Sequence, residues 1–266
     1  MSEQENSQLL INRLWQVLNV PDTCLLNTRI YKKMLLDNTE LTAKDKKLIN
    51  DVIDAANWRY TLKPETINIP SYQTEALDYP EIAIIHISLK SDKQTKRLMG
   101  IIQRVIPYPL LIVVNYKNNI WFNLANKRQS LADSHKLTIE ESFDSEWINE
   151  DSLTDIEEQF IQSLVCKEFD WTNMYCFYQS MVQRLLAFQT AQYTDEFVIK
   201  KQLSVNENNK NDINQQAQLT KIKSIEQQQN QLKVELKKES QFNEKLNLNM
   251  RIKQYQQQIE QLTQEL

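Results

Sequence analysis

The spacing of apolar residues changes twice along the chain and divides it into three parts. In residues 1–64 the spacing is helical, because leucines recur every fourth residue over Leu10–Leu18, as on the buried face of an amphipathic helix. A second helix is predicted near residues 28–38, and Thr42 caps a third that ends near Trp58. The first part is therefore predicted to be helical.

Residues 65–195 switch to patterns typical of buried strands. Glu81–Lys90 is dense in β-branched residues, and Leu110–Tyr116 is a second apolar run that ends in turn residues. The predicted elements are a strand at 81–90, a helix at 91–105, strands at 110–116 and 120–125, an edge strand at 136–143, and helices near 152–164 and 173–194. These elements predict an α+β core, a β-α-β-β-β unit with packing helices.

Residues 196–266 form the third part, which is rich in Asn and Gln and lacks both Gly and Pro. Apolar residues at alternating spacings of three and four predict a coiled-coil seam, made by Ile222, Ile225, Leu232, Leu236, Leu248, Ile252, Tyr255, Ile259, Leu262 and Leu266. The two halves of this seam are out of phase, which predicts a break or bend near 239–248. A helix this long is expected not to fold back without a breaker. The seam is therefore predicted to be covered first by a second copy of the chain, next by a partner's helix, and otherwise by the protein's own sheet.

Together these parts indicate the fold class α+β: a small mixed β-sheet flanked by helices, followed by a long C-terminal coiled-coil helix. The predicted organisation is an N-terminal helical part at 1–64, an α+β core at 65–195 and a coiled-coil arm at 196–266.

Composition excludes several classes of site. The chain has one glycine, Gly100, and a Walker loop, a dinucleotide fingerprint or a kinase glycine loop each needs more than one. Three cysteines without a Cys-x-x-Cys pair, and two histidines, predict neither a disulfide framework nor a zinc site. No apolar run approaches the ~20 residues of a membrane helix. We therefore expect a cytoplasmic protein without membrane contact, metal or cofactor.

One alternative is catalytic. Restriction-type nucleases place an acid before a strand and an acid two residues before a lysine at its end, so that the carboxylates hold Mg²⁺. Glu75, Asp78 and Glu81 precede the strand that ends in Lys90, but Ser88 stands where the second acid is needed. A degenerate or divergent metal-dependent nuclease thus remains the alternative, and the incomplete set favours a protein that is not an enzyme.

Basic residues around the helix at 91–105 are candidates for phosphate contact, namely Lys90, Lys93, Lys96 and Arg97. The same residues also fit a solvated polar face. The net charge of −4 predicts little or no nucleic-acid binding by the isolated protein, and contact only within a complex.

Three stretches in order carry a family resemblance: Asn57–Ile69 (NWRYTLKPETINI), Glu81–Lys90 (EIAIIHISLK) with Val105–Pro107, and Lys238–Asn249 (KESQFNEKLNLN). They resemble the bacterial family called domain of unknown function 4391 over about residues 10–266. The resemblance implies a long C-terminal helical arm and genes beside helicases and restriction-modification subunits. It brings no catalytic residues with it.

The resemblance therefore implies a non-catalytic accessory or adaptor subunit that works with a helicase or restriction-modification enzyme in defence against foreign DNA. The coiled coil would dock to that partner, to a second copy of the chain, or to both.

Overall fold

A computed structural model of the chain describes residues 3–37, 41–129, 137–199 and 205–266, with side chains described for 10–37, 41–129, 137–199 and 215–266. The chain divides into two compact units, Met1–Leu185 and Leu186–Leu266. Among the described residues, no helix has both the length and the apolar character needed to cross a membrane.

The described helices and strands follow one another along the whole chain. The helices are α1 (Glu3–Leu18), α2 (Lys32–Leu36), α3 (Ala43–Val52), α4 (Pro64–Ile67), α5 (Thr95–Val105), α6 (Asp155–Ser163), α7 (Met174–Thr194), α8 (Val205–Lys238) and α9 (Phe242–Gln264). The strands are β1 (Leu25–Arg29), β2 (Ile53–Leu62), β3 (Tyr72–Gln73), β4 (Asp78–Tyr79), β5 (Ile82–Leu89), β6 (Leu110–Tyr116), β7 (Asn119–Gln129), β8 (Leu137–Asp144) and β9 (Ile148–Asn149).

A mixed sheet with the order β1-β2-β5-β6-β7-β8 forms the centre of the first unit, and β9 pairs with β7. Only β5 and β6 run parallel, and α5 connects them. All other neighbours are antiparallel. The predicted α+β class, with a mixed sheet flanked by helices and a long C-terminal helical segment, is confirmed.

Helices cover both faces of this sheet because its central strands are apolar on both sides. Ile85 and Ile112 belong to an aliphatic cluster with residues of α3 and α5 on one face. On the other face, His86 stacks edge-on against Trp15 of α1, and Phe122 packs against Phe160 of α6. The alternation along β5 and β7 thus places α3 and α5 opposite α1 and α6.

Two sequence predictions in the N-terminal part are wrong. The third helix ends at Val52 rather than near Trp58, and Ile53–Leu62 is the long strand β2, paired with β5. The helix predicted near 28–38 is only α2, and it follows an exposed edge strand, Leu25–Arg29. Residue 38 lies outside the described residues.

In the second unit, α8 and α9 run antiparallel. Gln218, in the first half of α8, donates a hydrogen bond to Glu265 just beyond the end of α9, over 3.4 Å. Gln229, in the second half of α8, donates to the carbonyl oxygen of Ile252, in the first half of α9, over 3.2 Å. The two helices therefore form a hairpin whose turn lies at 239–241, at the start of the interval where the phase change predicted a bend.

Candidate functional site

A cleft of about 430 Å³ opens between α3 and the segment that leads into α5. Four cationic side chains line it, Lys44, Lys47, Lys93 and Arg97, and the lining contains one acid, Asp51. We call these five residues and the space between them the basic cleft. Among the residues that the structure describes, none of the three lysines forms an ion pair.

Helix α3 supplies one wall of the basic cleft. Thr42 and Asp45 form a reciprocal capping box that fixes where this helix begins. Lys44 and Lys47 are three residues apart and therefore lie on the same side of the helix. Leu48 and Val52 also line the cleft and are buried, so the two lysines extend from an apolar base into solvent.

The opposite wall comes from the start of α5. Arg97 donates a hydrogen bond to Asp45 over 2.8 Å, and this contact joins the two helices. Hydrogen bonds from Thr42, and then from Arg97, lower the pKa of Asp45 to about 2. Asp45 therefore stays charged and holds the guanidinium group at the edge of the cleft.

The structure divides the four predicted phosphate contacts. Lys93 and Arg97 line the basic cleft, whereas the ammonium group of Lys96 lies 3.1 Å from the buried carboxylate of Asp144. The backbone amide of Lys90 donates to the carbonyl oxygen of Val52, and Lys90 is not among the lining residues. Two of the four residues predicted as phosphate contacts, Lys93 and Arg97, therefore lie at the basic cleft.

Two residues of the nuclease alternative, Glu81 and Lys90, do not come together. Glu81 and Lys90 flank opposite ends of β5, an eight-residue strand, so their Cα atoms are about 30 Å apart at a rise of ~3.3 Å per residue. Glu81 instead forms an ion pair with Lys63 over 3.4 Å. Asp78 lies in the separate two-stranded sheet. The structure therefore does not bring Lys90 to Glu81, as a shared nuclease site of these two residues would require.

Other groups with reactive chemistry are held in structural roles. Within the described part of the chain, no cluster of three His, Cys, Asp or Glu residues could hold a metal ion. His86 hydrogen-bonds Asn115 over 2.8 Å, and burial lowers its pKa to about 4, so its ring is neutral at physiological pH. Burial raises the pKa of the Cys166 thiol to about 12, which leaves almost no thiolate.

The expectation that the C-terminal seam cannot bury itself is wrong, because α8 and α9 pack their seams against each other. Ile222, Ile225 and Ile259 form a buried cluster, against which Tyr193, Tyr255, Leu262 and Leu266 are partly buried. Leu232 is buried, and Leu236, Leu248 and Ile252 are half-buried. The helix also folds back without a glycine or proline, against the prediction.

A different apolar row on α9 faces solvent. Phe242, Leu246 and Met250 are 78%, 53% and 56% exposed. They are four residues apart and lie roughly opposite Leu248 and Ile252 around the helix. We call these three residues the tip row, because they lie in the first half of α9, next to the turn of the hairpin.

Sequence reasoning missed Lys44 and Lys47, although the run Lys44–Lys47 (KDKK) is a local concentration of positive charge. It also misses the role of Lys127, which is 3% exposed and donates to the carbonyl oxygens of Ile106 and Tyr108 over 2.8 and 2.6 Å. Its neighbours Asn126 and Arg128 are polar, so the local sequence does not indicate that Lys127 is buried within β7.

A model of one protein family, described as "Domain of unknown function (DUF4391)", matches residues 18–259. The chain belongs to this family. No curated protein and no solved structure gave a significant match. The resemblance inferred from the three stretches is therefore confirmed at the level of the family.

Proposed function

We propose that this member of the family is a cytoplasmic, non-catalytic accessory subunit of a helicase or restriction-modification enzyme that acts against foreign DNA. It docks to that enzyme through the tip row of its C-terminal hairpin. The single observation that carries the docking is the exposure of three large apolar side chains on one helical face. The resemblance to proteins encoded beside such enzymes supports the partner class.

The tip row differs from the scattered apolar residues found on most protein surfaces. Single exposed apolar residues are common on folded proteins, but an aligned group marks an interaction surface more often. Phe242, Leu246 and Met250 follow the i, i+4, i+8 spacing that a helix-to-helix contact uses. Their fixed helical backbone also lowers the entropic cost of binding.

Charge indicates the chemistry of the occupant. Lys253 lies on the same side of α9 as the tip row and Lys245 lies beside it, whereas Glu244 lies toward the opposite side. An amphipathic helix of the partner enzyme with an apolar face and acidic flanks complements this surface. A second copy of the chain would instead bring lysines against lysines.

Affinity purification of the tagged chain from its native host tests the proposal. A helicase or restriction-modification subunit should co-purify in near-equal amount, and Leu246→Ser with Met250→Ser should abolish its recovery. Gln254→Ser with Gln258→Ser changes two exposed residues on the same helix and should leave the recovery unchanged. Both variants should keep the helical circular dichroism of the unchanged protein.

Three outcomes would overturn the proposal. The first is equal recovery of the enzyme with the tip-row variant and the control. The second is recovery only of proteins from other classes, or of none. The third is a dimer of the purified protein that the tip-row variant dissociates, which would make a second copy the occupant.

A further inference from the structure

We infer that the basic cleft binds the phosphate backbone of a nucleic acid. The inference does not depend on the docking proposed above, because it concerns the other compact unit and is tested on the isolated protein. It replaces the sequence expectation, drawn from the net charge of −4, that the isolated protein binds little or no nucleic acid.

Local charge is the first argument. The lining carries four cations and one acid, and Asp45 offsets Arg97 through their 2.8 Å hydrogen bond. Lys44, Lys47 and Lys93 against Asp51 leave a local excess of about two positive charges, in a protein whose net charge is −4. Such a concentration attracts anions even where the whole molecule repels them.

The arrangement of the cations favours a chain of phosphates over a single bound ion. Lys44, Lys47 and Lys93 are exposed, whereas a tightly held single anion needs buried, fixed donors. Two lysines come from α3 and one from the segment before α5, so they span a cleft rather than surround a point. Exposed lysines on two elements suit successive phosphates of a backbone.

The start of α5 adds to this field. Gln94 also lines the cleft. It precedes the helix with a φ of 59°, and its side chain makes no capping hydrogen bond. The positive end of the dipole of this 11-residue helix therefore lies at the cleft, where it favours an anion.

The residues that line the cleft also limit which ligands it can recognise. Among the described residues, it contains the aliphatic side chains of Leu48 and Val52 and no aromatic side chain, so these residues offer no aromatic ring on which a base could stack. Three of its four cations are lysines, whereas recognition of a phosphopeptide usually relies on paired arginines. The contact is therefore independent of base sequence. Its affinity is low, because the few cations of the cleft can contact only a few phosphates.

Fluorescence anisotropy with a short labelled duplex of mixed sequence at low salt tests the inference. The triple variant Lys44→Glu, Lys47→Glu, Lys93→Glu should lower the affinity at least about tenfold and reduce the slope of log K against log [salt] by about 3, since ~0.9 of a unit is lost per phosphate contact. The triple variant Lys221→Glu, Lys237→Glu, Lys238→Glu makes the same change in net charge on exposed residues of α8 and should change the affinity less than about twofold.

Two competitors distinguish a nucleic-acid backbone from an acidic polypeptide and from a single phosphate ion. Polyglutamate at matched charge, and inorganic phosphate at matched ionic strength, should displace the duplex poorly. The single variants Lys47→Gln and Lys93→Gln should each give a partial loss, which keeps the test valid if the triple variant does not fold. Equal losses in the cleft and α8 variants, displacement by polyglutamate or by phosphate alone, or no binding by the unchanged protein at low salt would each overturn the inference.

Discussion

The sheet unit and the helical hairpin stabilise themselves in different ways. Strands β5 and β6 have helices on both faces, and five consecutive residues of β6, Leu110–Val114, are buried. In the hairpin, α8 and α9 each offer one seam to the other, and few seam residues are fully buried. Both units have a regular apolar pattern, but the strands are covered on two faces and each hairpin helix on one side only. The number of covered sides therefore decides how completely the apolar side chains are buried.

Polar groups show the same contrast. In the sheet unit, buried Gln103 donates to the side-chain oxygen of buried Asn123 over 2.8 Å, so this hydrogen bond lies inside the core, away from solvent. In the hairpin, buried Gln229 donates to Gln256 and accepts from Lys233 over 3.1 and 2.7 Å, and both partners reach solvent. The hairpin is therefore expected to be the unit of lower stability.

The largest expected effect follows from placing charge in the hairpin seam. Ile252→Asp with Ile259→Asp puts two carboxylates between α8 and α9, where burial without a partner is strongly unfavourable. We expect loss of the hairpin's helical circular dichroism, an unchanged tryptophan fluorescence and an unchanged mass in light scattering. All five tryptophans lie within residues 1–185, so their fluorescence reports on the sheet unit alone.

Leu246→Asp with Met250→Asp is the matched control, because it places the same charges on the solvent face of the same helix. It should leave the helical signal nearly unchanged. A fall in mass for the seam variant, from a dimer to a monomer, would instead restore the idea that the seam joins two copies.

A second prediction compares single cavities in the two units. Ile112→Ala removes a fully buried side chain from the centre of the sheet and should lower the free energy of unfolding by about 2–5 kcal/mol. Ile259→Ala in the hairpin removes a side chain with 9% exposure and should cost less, because solvent fills part of the space. Denaturant titration followed by tryptophan fluorescence should show a lower midpoint for Ile112→Ala and an unchanged midpoint for Ile259→Ala. Equal shifts of the two midpoints would show that the units unfold together.

The third prediction uses pH. Burial lowers the pKa of Lys127 from 10.5 to about 7, so between these values the unfolded chain binds a proton that the folded chain does not. Stability from this group therefore rises as pH increases through the window. Lys127→Met should flatten the pH dependence of the free energy of unfolding by at most about 1.4 kcal/mol per pH unit, whereas Lys167→Met, at an exposed position, should not.

The sequence predicted the elements whose pattern is local. The strands β5, β6 and β7 and the helix α5 are near their predicted positions because periodicity and turn residues mark them directly. Strand β2 was missed because Val52, Ile53 and Ala56 continue the helical spacing of α3, and no glycine or proline marks the change at Ile53. Pairing with β5, a long-range contact, decides between helix and strand there.

The candidate site was harder to predict for the same reason. Lys44 and Lys93 are far apart in sequence, and only the packing of α3 against α5 brings them to one cleft. The hairpin turn contains neither glycine nor proline, so no breaker residue marks it. Instead, the carboxylate of Glu239 accepts hydrogen bonds from the backbone amides of Ser240 and Gln241 over 2.7 and 2.8 Å. An acidic side chain thus caps the turn that glycine would otherwise mark.

The central claim is that α8 and α9 close on each other within one chain. Spin labels at Gln218→Cys and Glu265→Cys, measured by double electron–electron resonance in an excess of unlabelled protein, test it most directly. The native thiols are buried and should stay unlabelled. Because these two side chains are in hydrogen-bond contact, the hairpin predicts a distance between the labels well below about 30 Å. A straight arm, or an exchange of helices between two copies, predicts about 70 Å for 47 residues of helix. The longer distance would contradict the account.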